Sequence, residues 1–137
     1  MIRNVIAVVV GLTVGMAINM ALIMLNTAVL YPVPEGLDMY DNAQMNAYIA
    51  TLPWQAFLIV IAAHISQSFT GAWTAARLGA SKPMLLAMIV GALSLAGGIA
   101  NMAQLDHPAF MYIELPLYIV VAWLAGRMEV KRRAAAR

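Results

Sequence analysis

Four long apolar blocks constrain this chain more than any other feature it has. They run over Val5–Leu30, Trp54–Ala76, Pro83–Leu105 and Pro108–Gly126, the last being the shortest. A hydrocarbon core of ~30 Å takes about 20 helical residues to cross, and each block approaches or exceeds that length. The runs are continuous rather than alternating, which predicts helices and not barrel strands. Composition agrees: 64% of the 137 residues are hydrophobic and 10% charged, against ~45–50% and ~25% in a soluble domain. The fold expected is an all-α membrane protein, a four-helix up-down transmembrane bundle forming a single domain over residues 1–137. Short links at Arg77–Lys82 and Asp106-His107 make consecutive spans antiparallel neighbours.

The charges divide by side. Arg3, Arg77, Lys82, Arg127, Lys131, Arg132, Arg133 and Arg137 share one end, while Glu35, Asp38, Asp41 and Asp106 share the other. The positive-inside rule then puts both termini in the cytoplasm, as a multi-pass protein of a bacterial inner membrane. Met1–Asn4 resembles the basic start of a signal peptide, but the run that follows is too long and lacks an Ala-x-Ala exit. Small four-helix multidrug exporters pair antiparallel from chains with weak charge bias; the strong bias here predicts that any homo-oligomer is parallel. The basic tail, 127–137, is expected to lie on anionic headgroups at ~1 kcal/mol per basic residue.

The outer loop, Tyr31–Pro53, begins with Pro32 and Pro34, which exclude helix. Further on, Asp41 suits an N-cap, and Met45, Tyr48, Ile49 and Leu52 recur at helical spacing. The expectation is a short amphipathic helix on the outer membrane surface, stopped by Pro53.

At 100° per residue the small and polar side chains of each span gather on one face. Lipid offers no hydrogen-bond partner, so such faces meet one another. Gly11, Gly15, Gly71, Gly91 and Gly98 read as helix-packing positions. Glu114 and His64 ask for more, because an ionisable group inside a span costs several kcal/mol, with estimates from ~3 to above 10. At ~1.5 Å per residue, Glu114 lies roughly 10 Å and His64 roughly 16 Å below the outer surface. Asn19, Asn26, Ser94, Asn101, Gln67 and Tyr118 complete a polar track from the outer face to mid-membrane, with little below Gln67. Pro116 adds to it by freeing the carbonyl of Tyr112. The pattern predicts a pocket open outward rather than a through-pore.

Other chemistries find less support. With no cysteine, disulfides, thiolate catalysis, zinc–thiolate sites and Fe–S clusters are excluded. Glu35, Asp38, Asp41, Asp106 and His107 lack the spacing of a metal site. Met16, Met20 and Met24 form a stripe of the kind that selects Cu(I), but it points away from the polar face. A lone interior His64 does not make a bis-His haem site, so no cofactor is expected. No Gly-x-Ser-x-Gly, His-x-x-x-His pair or phosphate loop occurs, so no enzyme is expected. A net charge of +2 gives no reason to expect nucleic acid as a partner.

Full-length resemblance comes last. Pro32-Val33-Pro34-Glu35-Gly36-Leu37-Asp38, the Leu52-Pro53 junction, Ala75-Ala76-Arg77-Leu78, Ala96-Gly97-Gly98-Ile99-Ala100-Asn101 and Asp106-His107-Pro108 resemble an uncharacterised bacterial family of small four-span membrane proteins. Asp106 stands where that family's hydrophobic-Pro-His-Pro turn has proline. The resemblance implies the fold and adds no activity. Two functions are therefore expected: binding or transport of a small solute or proton at the polar pocket, or a non-catalytic accessory role in a larger membrane complex. Besides the bilayer, the expected partners are further copies of the chain or that complex.

Overall fold

The computed structural model describes residues 1–136, so Arg137 of the expected tail lies outside the described residues. Its long helices are α1 (Ile2–Leu25), α3 (Trp54–Leu78), α4 (Pro83–Gln104) and α5 (Glu114–Ala135), with a short α2 (Asn42–Ile49) in the long connection. All four long helices are long and apolar enough to cross a membrane, and no strand occurs among the described residues. The hub is α3. It packs along α1 and against both α4 and α5, whereas α1 meets α4 only lightly. The result is an uneven bundle with a seam left open between α1 and α4.

Small residues explain where the helices close. A Cβ on Gly11 would stand 2.5 Å from the Gly71 carbonyl oxygen, and one on Gly15 2.5 Å from that of Gln67. On the other side of the hub, a Cβ on Gly91 would stand 2.5 Å from that of Ala122. Without a hydrophobic drive between helices in lipid, such close backbone approach supplies the dispersion that holds them. Ala72, Ala75, Ala76, Ala87, Ala122 and Ala125 fill the same half of the bundle together with Leu86 and Val90.

The basic end is cross-braced. The last carbonyls of a helix have no partner within it, and cations beside them complement the helix dipole. Here Arg133 donates to the carbonyls of Ala76 (2.6 Å) and Gly79 (2.8 Å), and Arg3 to that of Leu78 at 2.9 Å. The Asn4 side chain accepts from the Ala80 N–H at 2.8 Å and donates to Ser81 Oγ at 3.1 Å. Glu129, fully buried, receives Arg132 and Arg133 at 2.7 Å each, with Arg77 at 3.5 Å. The basic stretch expected to lie on headgroups is the continuation of α5 as far as Ala135. Glu129 sits three and four residues before the two arginines, so the helix itself brings them together.

The opposite end departs from regular helix. A π-turn at Asn26–Leu30 finishes α1, with the Tyr31 N–H reaching back to the Asn26 carbonyl at 2.7 Å. Ala109–Ile113 is a 3₁₀ turn that leads into α5 at Glu114. Pro116 falls in the first turn of α5, where a missing N–H does little harm.

Candidate functional site

Two helices present matching pairs one turn apart, His64 and Ser68 on α3 facing Glu114 and Tyr118 on α5. His64 Nδ1 lies 2.9 Å from Glu114 Oε1, and Ser68 Oγ donates to the Tyr118 carbonyl at 2.8 Å. The Tyr118 hydroxyl donates to the same Glu114 oxygen at a long 3.5 Å, and its ring stacks on the imidazole with centroids 6.0 Å apart. Gly98 makes room for that ring, since a Cβ there would come within 2.7 Å of the hydroxyl. Glu114 is 1% exposed, so its carboxyl is held wholly by protein.

Two adjoining cavities surround this pair, both lined by Asn19, His64 and Asn101. The inner one, about 200 Å³, adds Gln67, Ser94, Gly97 and Tyr118. The outer one, about 250 Å³, reaches Asn26, Phe57 and His107 and is roofed by Met45, Tyr48, Ile49 and Leu52. Glu114 lines neither cavity. His64 faces the open space with the carboxyl behind it, which commits Nδ1 and leaves Nε2 as the nitrogen for any occupant. Such a carboxylate fixes the tautomer and orientation of an imidazole.

The polar atoms around the cavities are under-supplied with partners. Asn19 Oδ1, Asn26 Oδ1, Ser94 Oγ and Glu114 Oε2 are buried without a hydrogen bond. A buried unsatisfied group costs about 1–3 kcal/mol, so four in one region is a sizeable local deficit. The Asn26 amide does donate to the Ala56 carbonyl at 3.2 Å. Below Gln67 the Gly11–Gly71 crossing shuts the space between α1 and α3.

Of the residues expected from the sequence, Asn19, Asn26, His64, Gln67, Ser94, Asn101 and Tyr118 line the cavities, while Glu114 stands one side chain back. The glycines expected to pack do so, and Gly98 accommodates the Tyr118 ring besides. Met16 and Met20 turn out to edge the cavities, although helical period alone points their stripe away from the polar face.

The roof was not foreseen. Met45, Tyr48, Ile49 and Leu52 show the spacing of a surface helix, yet α2 turns Tyr48 and Ile49 inward, where Ile49 packs with Phe57 and Met111. Tyr48 donates to the Tyr31 carbonyl at 2.6 Å, and Asn46 accepts from the Asp106 N–H at 2.9 Å. Those two bonds tie α2 to both flanking turns. An apolar stripe looks the same whether lipid or protein covers it, so sequence period holds no signal for this choice.

The fold and site define a class: a helical bundle with four helices long and apolar enough to cross a membrane, in which a cavity-facing histidine is backed by a buried carboxylate. No known family model matches the chain, and no curated protein or solved structure gives a significant match.

Proposed function

We propose that this protein sits in a bacterial inner membrane with both termini cytoplasmic, and that its cavity binds a small solute or passes a proton. The charge asymmetry supports the orientation, with α2 then closing the periplasmic mouth. The observation that carries the reading is the His64–Glu114 pair at 2.9 Å, with Glu114 buried and His64 fronting a cavity whose lining includes polar atoms without partners. An intramembrane ionisable residue is a functional group by default. In this role Glu114 is the protonatable group that orients His64, and His64 is its mid-membrane partner and the group an occupant meets. Asn19, Asn26, Ser94 and Asn101 supply the lining. No enzymatic step is proposed.

The test is flux or binding in proteoliposomes with an internal pH dye. Glu114→Gln keeps the shape and removes the titration, so it should abolish the signal while expression and helicity stay normal. Undiminished function in that variant overturns the reading.

One observation favours a second reading, an accessory subunit of a larger membrane complex. α1 buries only Ala7, Gly11 and Gly15 and leaves Met16, Met20 and Met24 about half exposed. Loss of a heteromeric assembly on Met20→Ser, with no effect of Glu114→Gln, is the outcome that would select it. Native mass spectrometry of gently extracted protein separates the two.

A further inference from the structure

The inner cavity opens on the flank of the bundle as well as toward its mouth. Its floor is α3, with His64 and Gln67; one wall is α1, with Met16 and Asn19; the other is α4, with Ser94 and Gly97. Because α1 and α4 barely touch, the gap between them is not sealed. Gly97 is exposed, and a Cβ added there would meet nothing within 4 Å. Met16, opposite, is 52% exposed. Both residues lie near the middle of their helices, so in a bilayer this opening faces acyl chains rather than water.

Three features narrow what would enter. First, no lysine or arginine lines either cavity, so a phosphate or carboxylate head finds no counter-charge. Secondly, the lining of the inner cavity holds two unpartnered oxygens, an acceptor at Asn19 and a hydroxyl at Ser94 that serves either role. A complementary head donates hydrogen bonds. Thirdly, the inner space of about 200 Å³ takes only some six or seven waters at ~30 Å³ each, or one small ring.

From this lateral opening, the missing cations and the unpartnered Asn19 and Ser94 oxygens, we infer that the α1–α4 cleft takes an amphiphile from within the bilayer, its uncharged hydroxyl or phenol head seated against Asn19, Ser94 and His64. The tail remains between the lips formed by Met16 and Gly97, where polarizable methionine adapts to an irregular chain. The inference rests on the pocket reading above and names its ligand class.

The experiment uses the full chain in phosphatidylcholine nanodiscs with 4-dodecylphenol as probe, read by native mass spectrometry. Its methyl ether serves as the analogue without a donor, and 4-methylphenol as the head without a tail. One dodecylphenol per chain is expected. Retention should be at least tenfold weaker for the ether, because a site built around a hydroxyl rejects an analogue that lacks it. Gly97→Leu puts a side chain at the gap from a position where the added Cβ meets nothing within 4 Å, so it should cut dodecylphenol binding at least tenfold while the thermal unfolding midpoint is kept. Equal binding of the ether, or full binding in Gly97→Leu, overturns the inference. So does a homo-oligomer that falls apart in Gly97→Leu, since a second copy would then cover the cleft. Binding of 4-methylphenol that needs Glu114 but ignores Gly97→Leu also overturns lateral entry, and leaves the pocket reading standing. If Glu114→Gln changes neither binding nor flux, the pocket reading fails as well.

Discussion

The two ends of this bundle solve the same problem in opposite ways. At the basic end a polar network braces the helices: Glu129 gathers Arg132 and Arg133, Arg133 and Arg3 take up the carbonyls that end α3, and Asn4 ties the α3–α4 turn. The helices there touch backbone to backbone through Gly11 and Gly71. At the other end the helices part, regular helix gives way to π and 3₁₀ turns, and four buried polar atoms have no partner. Protein interiors tolerate few such atoms. The difference teaches that the first end holds the fold together while the second keeps polar capacity in reserve, which is where a ligand would act.

The comparison breaks first at the Gly11 crossing. Gly11→Leu pushes a side chain into the Gly71 carbonyl, and overpacking of this kind costs typically 1–3 kcal/mol and sometimes more. Against backbone the cost should reach about 3 kcal/mol, seen as a fall in the unfolding midpoint in detergent. A small effect would mean that α1 slides freely on α3 and the tight end is not tight.

Next comes Glu129→Gln. It strands arginines around a buried amide, and breaking such a group costs about 3–5 kcal/mol when fully buried. The arginines are partly exposed, Arg132 by 49%, so solvent screening reduces this to about 1–2 kcal/mol. Increased hydrogen exchange at the end of α3 is the accompanying sign, because Arg133 loses its anchor. A matching loss with Arg132→Ala alone would show that Arg133 stands without Glu129.

Ser94→Ala tests the loose end. Removing a hydroxyl that has no partner should be neutral or stabilise the empty protein by up to about 1 kcal/mol, read by the same midpoint. A clear loss of stability would mean the hydroxyl is satisfied after all, and the contrast between the ends would shrink.

Acid gives the smallest effect. The Gln44 side chain, then the Gln44 and Ala43 N–H groups, hold the Asp41 carboxyl below its ordinary range. The ionised form is the better acceptor, so its support of α2 is complete above the ordinary carboxylate pKa and is lost as pH falls through the lower folded value. Amide exchange at Ala43 and Gln44 should quicken there, with α3 unaffected. Asp41→Asn should remove the pH dependence while keeping most of the cap.

Much was legible along the chain because some properties follow from chemistry repeated at short range. Apolar runs, Pro32 and Pro34 in the long connection, Asp41 ahead of α2 and the glycine spacing on α1 and α3 each act within a turn or two. Glu114 and His64 stood out through the cost of burying them, without any knowledge of what they touch. Less could be seen of the loop helix. Tyr48 and Ile49 carry the same period whether they lie on lipid or roof a cavity, and their direction is set by Tyr31 and Asp106, distant in sequence. The end of α5 hid for a related reason: basic residues mark a membrane boundary, yet Glu129 lets them continue the helix and turn back onto α3.

By itself the sequence determined four helices long and apolar enough to cross a membrane, which end of each carries charge, and which side chains are too polar to face lipid. Those are sums over local transfer free energies, and no partner is needed to evaluate them. Only the tertiary structure decided that Glu114 stands behind His64, that α2 closes over the mouth, and that the gap beside Gly97 stays open. Each depends on how far apart two helices sit, and that distance comes from side chains of both meeting in three dimensions, as where Gly11 lets α1 close on α3 while α1 touches α4 only lightly.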